Sequence, residues 1–200
     1  DYAKHDLVGA NVFMLKILAN NIDTLGITAS TTDFELTIDK TLDMLENQSL
    51  SSDLSISEET ADSITYSLDL ENLAGHKLPA GYPSRRAIVE FLVQEDNGDT
   101  VFHSGKFNSD YSLVGESLPF EPHYDTIRNE SQIQIYEMVM GDYTGEVTTV
   151  LEYAYEHLKD NRIPPRGFSE SHFSYDTVKV VGEALLDPTF EMESGKDVVH

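Results

Sequence analysis

The sequence predicts a mainly β fold, an immunoglobulin-like antiparallel β-sandwich preceded by two α-helices. Three observations carry that expectation. Apolar residues recur at helical spacing before residue 50, the spacing falls to two after residue 63, and the later strand candidates are short and set off by Gly, Pro, Asn and Asp turns. The chain divides accordingly into a helical segment, residues 1–50, and a β-sandwich domain, residues 51–200.

In residues 7–18, Leu7, Val8, Val12, Phe13, Leu15, Ile17 and Leu18 recur densely enough for a well-buried helix. Thr32 followed by Glu35 reads as a capping box, in which the hydroxyl accepts from the third helical N–H and the carboxylate reaches back. Behind it Phe34, Ile38, Leu42 and Leu45 form one stripe, so the second helix runs to about Asn47. Residues 49–57 are rich in Ser and Asp, and beyond them the pattern changes from period 3.6 to period 2.

Ile64, Tyr66, Leu68 and Leu70 alternate with polar partners as a half-buried strand does. Residues 87–93 form a second strand, which residues 96–99 turn back into residues 100–103, a hairpin signal. Residues 132–136 and 177–181 are two further strands. Residues 147–157 suit either a strand, through Leu151, Tyr153 and Tyr155, or a helix, through Val150, Leu151, Ala154 and Leu158; the strand is preferred.

Thirteen basic against 36 acidic residues give a net charge of −23. Binding to nucleic acid or to an anionic membrane needs a basic surface that displaces counterions, so both are excluded as general partners. Hydrophobic residues at 40% and aromatics at 10% supply a core, which places the acidity on a folded surface. With no cysteine there is no disulfide, thiol nucleophile, iron–sulfur cluster, thiolate zinc site or CxxCH haem attachment in this chain. No apolar run approaches the roughly 18 residues of a membrane span. A start at Asp1 rather than Met points to a processed protein or a piece of a longer one.

Seven histidines are the obvious candidates for metal or acid–base work, yet none stands in an HxxxH, HExxH or HxH pattern. Most therefore read as surface or turn residues. No GxSxG elbow and no phosphate loop is present, so no enzymatic activity is expected. Asp96, Asp99, Asp110, Glu121, Asp125 and Asp142 fall in expected loops that offer oxygen ligands to calcium, but no EF-hand loop exists, and solvated carboxylates are the simpler reading.

Three loops stand out. Residues 75–86 (GHKLPAGYPSRR) concentrate three of the 13 basic residues in an acidic protein, and residues 121–125 (EPHYD) and 159–168 (KDNRIPPRGF) mix charge with proline-constrained backbone. Arg85 and Arg86 are expected to pair with carboxylates of neighbouring loops, only one of them deeply, because adjacent strand residues point to opposite faces. Arg85, Arg86, His123, Asp125, Asp160 and Arg162 are thus the candidate structural or docking residues.

These runs, with VFHSG (101–105), QIQIYEMVMGD (132–142) and VGEALLD (181–187), resemble the C-terminal region of exported bacterial multihaem c-type cytochromes. HDLVGANVFML (5–15) is similar to the segment that precedes it in that family, with Ala10 where the family pattern has Gly. The resemblance implies haem c carried by an upstream domain or subunit, and a periplasmic or extracellular location. It also implies a redox partner protein and makes His5 and His76 candidate distal haem ligands. An independent extracellular module binding a carbohydrate, a peptide or calcium is the competing expectation.

Overall fold

The computed structural model describes residues 8–200 except 82 and 84. His5 and Leu7 lie outside the described residues. The chain splits into two compact units, Asp1–Ser51 and Ser52–His200.

In the first unit, α1 (Phe13–Ala19) and the single turn α2 (Ile22–Leu25) precede α3 (Thr31–Asp43), which continues as a five-residue π-turn, Met44–Gln48. The dense apolar pattern of residues 7–18 predicts a buried helix; instead α1 has no buried residue, and Phe13 and Met14 are mostly exposed. The capping box of α3 is built two residues earlier than Thr32 and Glu35 suggest. Ser30 Oγ accepts from Asp33 N–H at 3.3 Å, and Asp33 Oδ2 accepts from Ser30 N–H at 2.8 Å. Asp serves as well as Glu here because both ends of the box need only a short acceptor. Only Phe34 and Thr41 of α3 are buried, with the Thr41 hydroxyl donating back to the Thr37 carbonyl.

The second unit is mixed, with more strand than helix, and its described strands form small antiparallel sheets without a closed barrel. The first contains β1 (Leu50–Glu59), β2 (Ile64–Asn72) and β9 (Lys196–Val199), in the order β1-β2-β9. The Ser/Asp-rich stretch, to which the sequence pattern assigns no element, is thus largely a strand, β1. Its Leu54 and Ile56 alternate with polar residues, but both faces stay exposed, so the pattern lacks the apolar contrast of an interior strand. The second sheet contains β3 (Arg86–Ile88), β6 (Ile135–Gly141), β7 (Val147–Thr148) and β8 (Glu156–Asp160), with β6 central. The third is the hairpin β4 (Phe91–Gln94) and β5 (Thr100–Ser104), turned at residues 96–99 as expected.

Residues 87–93 are one apolar run but two strands. β3 pairs with β6 through Ile88↔Ile135, whereas β4 pairs with β5, so the chain changes sheets at Val89 and Glu90. Gly105, at φ +72°, lets the backbone pass there, since a Cβ would stand 2.3 Å from the Val89 carbonyl oxygen. Residues 177–181 are not a strand: α4 (Tyr175–Val178) is one helical turn, and only Val181 bridges Asp160. Of residues 147–157, β7 takes two, a 3₁₀ turn takes Leu151–Tyr153, and β8 begins at Glu156. β6 starts at Ile135 rather than 132 and is buried along nearly its whole length. Leu113, Ile133 and Ile135 pack with Ile88 into the core on which the site below rests.

Candidate functional site

The three unusual loops converge on the β6–β8 pair. Asn72, buried at the end of β2, clamps two of them: its Nδ2 donates to the carbonyls of His76 (2.7 Å), Ile163 (2.9 Å) and Pro164 (3.1 Å). Leu78 and Ile163 exchange a pair of backbone hydrogen bonds, each 2.9 Å. Lys77 Nζ reaches Asp160 Oδ2 at 2.9 Å, and Arg162 grips the same carboxylate through Nε–Oδ1 and Nη2–Oδ2, both 2.8 Å. Asp160, one of the candidate structural or docking residues, is fully buried and is the anion that holds two loop cations. Burial pushes the Lys77 ammonium below its usual range, against the pull of Asp160.

On the other side, Lys159 Nζ donates to Glu137 Oε1 at 3.0 Å and to the Ile135 carbonyl at 2.9 Å, and burial lowers its pKa as well. Arg86 spans Glu116 (2.5 Å) and Glu137 (3.2 Å), while Arg85 donates to the Ala80 carbonyl at 2.9 Å. One arginine is ion-paired, and its neighbour, which precedes the first residue of β3, is bonded to backbone. Replacing Arg86 with Met is expected to lower the urea-derived stability by about 1–2 kcal/mol, since the pair is only partly exposed. Arg85→Met should stay within about 0.5 kcal/mol of the parent. Equal losses would contradict the assignment.

His123, one of the candidate structural or docking residues, is the centre of a buried network. Its ring meets Phe190 and Tyr136 edge-on at 5.4 and 6.1 Å. Its Nδ1 faces Gln134 Nε2 at 2.9 Å and Asn161 Nδ2 at 3.0 Å. The backbone sets the orientation of both amides. Gln134 Oε1 accepts from Tyr124 N–H and Asn161 Oδ1 from Glu137 N–H, each at 2.9 Å, and Asn161 Nδ2 also donates to the Ile135 carbonyl. Each amide can therefore offer the ring only N–H, which makes Nδ1 an acceptor and places the proton on Nε2. That N–H donates to Asp187 Oδ2 at 3.0 Å, with Asp197 Oδ2 at 3.8 Å.

The two aspartates differ. Asp187 Oδ1 accepts from the Thr189 amide and hydroxyl, both 2.7 Å; burial pushes its pKa up, but these bonds and His123 outweigh it, and the net shift is down. Asp197 accepts Tyr136 Oη–H at 2.5 Å, yet burial dominates and its pKa is raised. Burial and Asp197 together push the Tyr136 phenol well above its usual value.

The ligand atoms of His123, Asp187 and Asp197 lie within 4.8 Å of one another, so by distance the triad could hold a metal ion. Coordination through Nε2 would need a lone pair there and a proton on Nδ1, aimed at two amide N–H groups. The hydrogen bonding thus favours a proton over a cation. Sequence reasoning singled out His123 but missed Asp187, Asp197, Gln134, Tyr136 and Asn72, which are scattered over 126 positions of chain with no local motif to join them.

His76 has the opposite tautomer. Its Nδ1 stands 3.1 Å from the Lys77 carbonyl, which can only accept, so Nδ1 carries the proton and Nε2 keeps its lone pair on an exposed side chain. Asp125 is exposed and contributes its carbonyl to His200 N–H at 2.8 Å; its carboxylate is not part of the buried network. Glu121, expected among solvated loop carboxylates, is fully buried and accepts from Ser117 N–H and, at 3.0 Å, from Tyr124 Oη–H. Beside residues 71–75 a cleft of about 690 Å³ opens between Phe168, Tyr175, His172 and Arg166. Among the described residues no helix is long and apolar enough to cross a membrane. No family model, curated protein or solved structure matches the chain.

Proposed function

We propose that the chain is a non-catalytic module of an exported, periplasmic or extracellular, multihaem electron-transfer protein. In this reading it packs on a haem-bearing domain or subunit and offers His76 as a distal axial ligand. The small antiparallel sheets are then the faces of an immunoglobulin-like sandwich whose end loops form the docking surface. The observation that carries the reading is the tautomer of His76, an exposed residue whose Nδ1–H donates to the Lys77 carbonyl, which leaves the lone pair on Nε2 for iron. Asn72, the Leu78–Ile163 pairing and Asp160 hold the loop beneath it, so the imidazole is positioned before any partner arrives. Haem iron would supply one-electron chemistry; this chain, which has no cysteine, does not attach it through CxxCH.

The test is a titration with a haem peptide whose sixth coordination site is open. The parent is expected to convert its spectrum to the low-spin form, and His76→Ala to weaken that binding at least about tenfold, the scale on which lost ligand contacts are read. Unchanged affinity in His76→Ala would refute the ligand role. The competing reading, a module for carbohydrate, peptide or calcium, is favoured by the aromatic cleft at Phe168 and Tyr175. It predicts saturable oligosaccharide or peptide binding that is lost in Tyr175→Ala, or calcium binding.

A further inference from the structure

β1 is an edge strand of ten residues, nine of them exposed, and it contains no Pro, Gly or Lys. Natural edges are usually blunted by such residues or kept short, because unpaired backbone N–H and C=O groups recruit another strand. Among the described strands, only β2 pairs with β1, joined to it by the turn in which Thr60 N–H donates to the Ser63 carbonyl. Along this hairpin runs a trough of about 1020 Å³ lined by Leu54, Ile64, Phe91, Val93 and Val101, of which Leu54, Ile64 and Val101 are 53, 49 and 61% exposed. Its margin is acidic, with Glu58, Glu59 and Asp62 against a single Arg128.

We propose that the free edge of β1 and this trough receive an extended, basic segment of a partner protein by strand addition. Its alternate apolar side chains enter the trough while its lysines or arginines meet the acidic margin. Charge selects this occupant. A second copy of the chain would bring another 23 negative charges and the same acidic margin, whereas a cationic strand is steered in and held. The surface is separate from His76 and does not depend on the haem reading.

The test uses the full chain and a fluorescein-labelled ten-residue peptide of alternating lysine and valine, followed by fluorescence anisotropy at low salt. Saturable binding is expected, weakening about tenfold or more at roughly 0.5 M salt as screening shortens the reach of the margin. Leu54→Lys/Ile56→Lys should abolish it. Amide exchange in the parent, which depends on no substitution, is the second measurement, and protection of residues 51–59 should rise when the peptide is added. Equal binding of a glutamate–valine peptide, or no added protection at these amides, would overturn the proposal. So would a parent that is dimeric by light scattering and becomes monomeric in the Leu54→Lys/Ile56→Lys variant, since that assigns the edge to a second copy.

Discussion

Asp160→Ala is expected to lower the stability of the chain by about 3–5 kcal/mol in urea unfolding, a large share of the roughly 5–15 kcal/mol available to a domain. The carboxylate is fully buried and takes three hydrogen bonds from cations, one from Lys77 and two from Arg162. Its removal leaves both cations with little solvent to replace it: Lys77 is 8% and Arg162 13% exposed. The pair's attraction is not the source of the effect, because desolvation offsets most of it. What remains after the substitution is buried charge without a partner. Removing Lys77 as well should recover part of the loss, so the double variant Asp160→Ala/Lys77→Met is expected to be more stable than Asp160→Ala alone. A loss below about 1 kcal/mol for Asp160→Ala would show that water reaches this site and that the loops are held otherwise.

Asp187→Asn should cost about 2–3 kcal/mol, and Asp197→Asn about half as much. Every oxygen of Asp187 accepts, from Thr189 on one side and the Nε2–H of His123 on the other, so an amide must turn an N–H toward a donor. Asp197 already has a raised pKa through burial, and a neutral group suits its place better. The pH dependence has opposite signs. With its folded pKa below the unfolded value, Asp187 contributes stability that is present above about pH 4 and lost as the pH falls through the depressed value. With its folded pKa above the unfolded value, Asp197 contributes stability that is present below about pH 4 and lost as the pH rises through the raised value. The gap between Asp187→Asn and the parent should therefore narrow on acidification from neutral pH, while the gap for Asp197→Asn should widen. Parallel pH profiles for the two variants would refute this assignment of protons.

Sequence by itself determined the order of classes along the chain, helix before residue 50 and short strands after it, because hydrophobic period is local and survives without tertiary information. It also determined the 91–104 hairpin, whose turn residues encode their own geometry, and the absence of thioether haem attachment. That one of Arg85 and Arg86 is ion-paired was legible too, since carboxylates outnumber cations everywhere; that it is Arg86 was decided by the tertiary structure. Only the tertiary structure decided that residues 87–93 serve two sheets and that residues 50–59 form an edge strand. Pairing partners lie far off in sequence, and an exposed edge carries no apolar contrast. The same holds for the two histidines. Nothing in the neighbourhood of His76 or His123 distinguishes one imidazole from the other; a carbonyl one residue away gives the first a lone pair at Nε2. For the second, amides from Gln134 and Asn161, each fixed by backbone, leave a proton there, because a ring nitrogen takes the role that the groups facing it leave open.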